Sequence, residues 1–139
     1  MKPRPFPFLL NIGTDIVHLP RITRLLNRPG NYLHRFTRRI LSEPEQQDFR
    51  ARFATAAPAH ISTDMARWLA GRFAAKEAAR KAAPAGAAAV SWKDVLVRVG
   101  DVEGRPEVVY LDAEGGGRVG KLSISHDGEY VVATVLAAE

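Results

Sequence analysis

Residues 65–83 carry the longest helical pattern in the chain, and one face of it ends in a charge. Met65, Leu69, Phe73 and Glu77 recur every four residues, which places them on one side of a helix. Three of the four are apolar. A carboxylate that extends an apolar stripe must leave water, which is costly unless a cation compensates it. One other acid is embedded in the same way. Asp15 lies inside Leu9-Leu10-Asn11-Ile12-Gly13-Thr14-Asp15-Ile16-Val17, which otherwise reads as a strand, and Asp is depleted in strands. Two misplaced carboxylates, remote along the chain, predict a shared hard cation.

The patterns around the long helix predict one α+β domain over residues 1–139. A strand spans 9–18. Pro20 opens a helix with Ile22, Leu25 and Leu26 inward and Arg21, Arg24 and Arg28 on the other side. Residues 32–40 read as a short, basic, partly helical piece. Ser42, with Glu43 and Glu45 behind it, starts a helix to about residue 53, and 54–62 reads as a loop. Thr63 or Asp64 caps the long helix. Gly71 inside it either marks a close backbone approach or is neutral. Pro84-Ala85-Gly86 ends it, and 87–90 reads as loop. Strands follow at 92–99, 108–111, 121–126 and 129–136, and Asp127-Gly128 between the last two is a strong hairpin signal. The expected architecture is a small antiparallel sheet packed against a long central helix.

Hydrophobic residues make up 46% of the 139-residue chain, enough for a core. With no cysteine, a disulfide framework or thiolate metal site is excluded. No apolar run approaches the ~20 residues of a membrane span. Residues 1–8 (Met-Lys-Pro-Arg-Pro-Phe-Pro-Phe) have too short a hydrophobic part for a secretory signal, and their prolines oppose an amphipathic targeting helix. They read as an extended arm. The expected location is the cytoplasm or the mitochondrial matrix, neither secreted nor in a membrane.

Net charge is +5 and the pI about 10.0, which favours anionic partners. The charge is local: residues 16–42 hold Arg21, Arg24, Arg28, Arg35, Arg38 and Arg39 and no acid. A solvated helix surface is the plain alternative. A nucleic-acid surface would need stacking aromatics among the arginines, and the stretch offers only Tyr32 and Phe36.

Lys81 stands four residues past Glu77, on the same helical face. The two together suit a cation and a phosphate; alone they are an ordinary helix pair worth about 0.3–0.5 kcal/mol. Ser123-Ile124-Ser125-His126 brings two hydroxyls and an imidazole to a strand end, where they bind phosphate or are simply solvated. Gly13-Thr14-Asp15 reads as a backbone-approach glycine beside a metal carboxylate, or as an Asp that ends a strand.

In combination these motifs are specific. Ile12-Gly13-Thr14-Asp15-Ile16-Val17, Arg21-Ile22, Arg72-Phe73-Ala74-Ala75-Lys76-Glu77-Ala78 with Lys81-Ala82, and Leu122-Ser123-Ile124-Ser125-His126 resemble the holo-acyl-carrier-protein synthase family of 4′-phosphopantetheinyl transferases. The resemblance spans residue 12 to about residue 135. It implies that family's fold. It also implies transfer of phosphopantetheine from coenzyme A to a serine of an acyl carrier protein, with release of adenosine 3′,5′-bisphosphate, and magnesium as the metal. By motif position Asp15 and Glu77 would hold the ion, and Asp15, Glu77 and Lys81 would form the catalytic set. Glu77, directly or through a metal-bound water, would be the base. Arg72, Lys81, Ser125 and His126 would contact coenzyme A, with Gly104 and Pro106 of a looser Gly-x-Pro match. Arg21 would dock the acidic carrier, and helical spacing extends that role to Arg24 and Arg28. A homotrimer with sites shared between subunits and a place in fatty-acid synthesis are implied too; nucleic-acid and membrane partners are not. Two departures stand out. Many relatives carry Glu where this chain has His18, and a Gly-Thr-Gly-like loop where it has Ala83-Pro84-Ala85-Gly86-Ala87.

Overall fold

A computed structural model describes residues 1–53, 61–101 and 104–139. The chain runs β1 (Leu10–His18), α1 (Leu19–Leu26), α2 (Tyr32–Ile40), α3 (Glu43–Arg52), α4 (Thr63–Lys81), β2 (Val95–Val99), β3 (Pro106–Leu111), β4 (Gly117–Asp127) and β5 (Tyr130–Ala138). The strands form one antiparallel sheet in the order β1-β5-β4-β3-β2. It is the expected α+β arrangement, with α4 laid chiefly across β1 and β5.

The alanines of α4 explain how the helix seats so closely. Ala70, Ala74, Ala75, Ala78, Ala79 and Ala82 are fully buried against the sheet. Gly13 marks the point of contact, since a Cβ there would sit 2.1 Å from the Ala78 carbonyl oxygen. Tyr110 of β3 fastens the same turn by donating to the Ala79 carbonyl at 2.6 Å. Alternation along β1 turns Gly13, Asp15 and Val17 toward α4 and leaves Ile12, Thr14 and Ile16 outside. The last hairpin carries its loop one residue later than expected. Asp127 pairs with Tyr130, so Gly128 and Glu129 make the turn, and Gly128 supplies the positive φ of +55°. Leu19 N–H then donates to the Glu129 carbonyl at 2.7 Å, which ties the start of α1 to that turn.

Several boundaries differ from the sequence expectation. Ser62, not Thr63 or Asp64, caps α4, its Oγ accepting from Met65 N–H at 3.1 Å. Residues 32–40 are wholly helical. The stretch from Trp92 begins as a 3₁₀ turn (Trp92–Asp94), because the Asp94 carboxylate accepts from Ser91 N–H and holds the chain in a turn before β2. Residues 87–89 are likewise a 3₁₀ turn. Nothing approaches the Cα face of Gly71, so its neutral reading holds. Most of the expected 54–62 loop, and Glu103 of the turn before Pro106, lie outside the described residues.

Among the described residues the acid most deeply buried is neither Asp15 nor Glu77 but Glu45, 1% exposed, against the fully buried Lys76. Lys76 Nζ donates to Glu45 Oε1 (2.5 Å), to the Ile40 carbonyl (2.7 Å) and to the Trp92 carbonyl (3.0 Å). Glu45 also accepts from the Ser42 backbone N–H and hydroxyl. One ion pair thus pins α3, the end of α2 and the segment entering β2 onto α4. Burial lowers the Lys76 ammonium's pKa, opposed by the charge and hydrogen bond of Glu45.

Candidate active site

Asp15 lies where β1 crosses the last turns of α4, the helix that carries Glu77. Gly13 lets the two backbones touch, and alternation then turns Asp15 against the last turns of the helix. Its side chain is 17% exposed. Burial holds the Asp15 carboxyl above its ordinary range and the charge of Glu77 adds to the rise, while the bond and charge of Lys81 and the charge of Arg21 oppose it. The two misplaced acids thus lie within electrostatic reach of each other.

The partners differ from the expectation. Lys81 does not pair with Glu77 along the helix. Its Nζ reaches across to β1, donating to the Thr14 carbonyl at 2.9 Å and to Asp15 Oδ1 at 3.3 Å. Glu77, 21% exposed, is held instead by Arg80 Nη1 at 2.9 Å and by the indole N–H of Trp92, both on Oε1. Arg80 is three residues on, the other helical-neighbour spacing, and Trp92 arrives through the tertiary fold.

A second group lies in a groove of about 590 Å³ between α4 and the sheet, where Arg72 and His126 meet Trp68, Gly71, Ile124 and Val131. The Arg72 guanidinium lies 4.2 Å over the Trp68 ring, and its buried Nε has no hydrogen-bond partner. Burial lowers its pKa, with nearby Arg52 adding to the effect. Ser125 does not share the groove. On β4 it alternates with Ile124 and His126 and faces the outer side of the sheet. Gly104 and Pro106 are farther away, at the turn before β3, toward the sheet edge opposite β1. Within one chain neither reaches Asp15.

Arg21 and Arg24 are exposed on α1. Arg28 is not on the same face, because Asn27 ends the helix. It stacks on Tyr32 at 5.7 Å, with Arg35 on the same ring at 5.6 Å. Beside them a cavity of about 290 Å³ is walled by Leu25, Tyr32, Phe36, Phe73 and Trp92 and edged by Arg35 and Arg39. Sequence reading missed this cavity. The available signal was Tyr32 and Phe36 at four-residue spacing among arginines, with the remaining walls supplied by tertiary packing.

A model of the 4′-phosphopantetheinyl transferase superfamily matches residues 11–135. The chain belongs to that superfamily. It is 68% identical over 153 aligned residues to 4′-phosphopantetheinyl transferase B, mitochondrial, of Aspergillus fumigatus, covering 99% of each chain. Its fold is similar to holo-[acyl-carrier-protein] synthase from Neisseria meningitidis, with a TM-score of 0.68, 37% identity, and 93% and 97% of the two chains covered. It is also similar to the Helicobacter pylori synthase solved in complex with coenzyme A, with a TM-score of 0.66, 26% identity, and 92% and 99% covered.

The transferase fold thus presents two carboxylates and a lysine at one crossing and a cationic groove along the same helix. The donor set fits magnesium, which takes one or two carboxylates and fills its other positions with phosphate oxygens and water. Among the described residues no cluster of three or more His, Cys, Asp or Glu is placed to hold a metal, so an all-protein cage is absent there.

Proposed function

We propose that this phosphopantetheinyl transferase moves 4′-phosphopantetheine from coenzyme A to a serine hydroxyl of an apo acyl carrier protein, with magnesium held by Asp15 and Glu77. What supports the reading is that β1 crosses α4 where Lys81 bonds Asp15 and the charge of Glu77 acts on it. The serine oxygen forms a bond to the β-phosphorus, and the bond from that phosphorus to the bridging oxygen of the diphosphate breaks. Adenosine 3′,5′-bisphosphate leaves with the electron pair. The serine proton passes to Glu77 or to a water beside it. Bound magnesium neutralises charge on the diphosphate oxygens. The chain's own work is positioning and electrostatics. Lys81, already on Asp15, supplies a cation to the diphosphate. Arg72, with an unsatisfied buried N–H, and His126 line the groove for the remaining phosphate.

Gly104, Pro106 and Ser125 complete the coenzyme site from a neighbouring copy. The placement of Gly104 and Pro106 toward the sheet edge opposite β1, and of Ser125 on the outer face, supports this, and the working form is a homotrimer of one-domain subunits. Arg21, Arg24 and Arg28 receive the acidic carrier, and Arg35 and Arg39 extend that surface around the apolar cavity. The carrier belongs to fatty-acid synthesis in the mitochondrial matrix or the cytoplasm. No helix among the described residues is long and apolar enough to cross a membrane.

The test is incubation with coenzyme A, magnesium and an apo carrier, followed by intact-mass analysis. A carrier heavier by one phosphopantetheine is expected. Unmodified mass across several carriers, from fatty-acid synthesis and elsewhere, overturns the proposal.

A further inference from the structure

Glu77 is the only member of the proposed metal pair whose carboxylate is held by two side-chain donors on one oxygen, among the described residues. Arg80 Nη1 donates to Oε1 at 2.9 Å, and the Trp92 indole N–H donates to the same atom. Neither donor is loose. Arg80 is anchored by its Nε to the Val90 carbonyl at 2.6 Å and by Nη2 to the Ala87 carbonyl at 3.1 Å. The guanidinium groups of Arg39 and Arg80 each lie 5.2 Å from the Trp92 ring centroid, and the ring packs on Phe73 at 6.3 Å. Oε2 takes no side-chain hydrogen bond among the described residues.

We infer that Trp92 and Arg80 are positioning residues for Glu77, fixing Oε1 so that Oε2 is the oxygen offered to the metal. The inference rests on the proposed role of Glu77 as a ligand. Groups that bond a metal ligand from behind orient it, and their loss typically lowers metal affinity 10–100-fold. A bare glutamate on a helix samples several rotamers and must be ordered when the ion binds. Here the ordering is built in by the segment that follows the helix. Trp92 acts through Glu77 and touches no reacting atom.

The test uses the full chain and begins without the carrier. Mn²⁺ binding is measured by calorimetry in saturating coenzyme A, for wild type and Trp92→Phe. The Phe ring keeps the packing on Phe73 and loses the N–H. About tenfold weaker Mn²⁺ binding is expected, along with turnover that saturating Mg²⁺ restores. In the ¹⁵N-labelled protein the indole cross-peak lost in Trp92→Phe should move in Glu77→Gln and on adding Mg²⁺ with coenzyme A. Equal Mn²⁺ affinity in the two proteins, or an indole peak blind to Glu77→Gln, overturns the positioning role and leaves the metal site intact. Wild type that binds no Mn²⁺ under these conditions overturns the metal site itself, and this inference with it. If Trp92→Phe loses cooperative unfolding, Arg80→Gln carries the same comparison: weakened Mn²⁺ binding supports the role and unchanged binding rejects it.

Discussion

Asp15 sits in conflict with its own surroundings, and the conflict has a measurable sign. Burial holds its carboxyl above the ordinary range despite Lys81 and Arg21. The folded chain therefore binds this proton more tightly than the unfolded chain, whose carboxyl titrates near the ordinary 3.8. Its contribution to stability is full below that value and is lost as pH rises through the higher folded one. Asp15→Asn removes the loss. The variant's thermal midpoint at pH 7 should equal or exceed that of the metal-free wild type, while turnover falls by about 10³-fold, the scale of losing one strong electrostatic contact in a transition state. Loss of the Lys81 pair offsets little, since that lysine is half exposed. An Asn variant that melts clearly lower would make Asp15 a structural residue. At this scale the sequence was informative where a residue violated its element. Asp15 in a strand and Glu77 on an apolar stripe both pointed to the site. Partners were less legible, because spacing along a helix sees only helical neighbours. Lys81 turned away from Glu77 to the Thr14 carbonyl on a strand 67 residues earlier.

Elements were legible in kind and order because periodicity is local, whereas what locks them together is not. Sequence pattern reads Glu45 as a first-turn acid behind the Ser42 cap and gives Lys76 no role of its own. Only the fold shows that they meet in the core, with the Ile40 and Trp92 carbonyls taking the other ammonium protons. A buried pair of this kind is fragile toward one-sided change. Lys76→Met leaves the Glu45 carboxylate buried without a cation and should cost about 3–5 kcal/mol. The double variant Lys76→Met, Glu45→Leu removes both charges and should recover at least half of that. Urea denaturation of the three proteins decides. A double variant as unstable as the single one would show that the pin matters through its backbone bonds and not its charge. The helix ends teach the same lesson on a smaller scale. Three candidate oxygens lie in a row at residues 62–64, and the choice of Ser62 as cap depends on how the preceding chain enters, which local pattern does not encode.

At the scale of the molecule, charge and exposed apolar surface sort to different faces. Arg35 and Arg39 of α2 edge the apolar cavity and Arg21 and Arg24 lie exposed on α1, and in the proposed function an acidic carrier meets these cations first through long-range attraction. Arg24→Glu should raise the carrier KM several-fold at low salt, with kcat little changed, and the difference should shrink as salt rises. An unchanged KM at low salt rejects docking at α1. The outer face of the sheet carries Leu10, Ile12, Ile16, Val119 and Leu136, all exposed in the single chain, and exposed apolar side chains grouped on one face mark an interaction surface. In the proposed trimer two further copies would cover that face and bring together what one chain keeps apart, Asp15 near one edge of the sheet and Gly104 toward the other. A shared site makes a prediction no single-chain site can. Asp15→Ala removes one subunit's contribution, and Gly104→Asp, at a φ of +65° that Asp tolerates, sets a negative charge where the neighbour's would approach phosphate. Each variant alone should be inactive. Co-refolded in equal amounts, they form mixed trimers in which an interface pairing an intact Asp15 with an intact Gly104 arises in about a quarter of sites, by random assortment in a closed ring. Turnover should return to that fraction of wild type. If the mixture stays as inactive as its parts while both variants still assemble, the two residues serve one subunit's site or no site, and the shared arrangement is wrong.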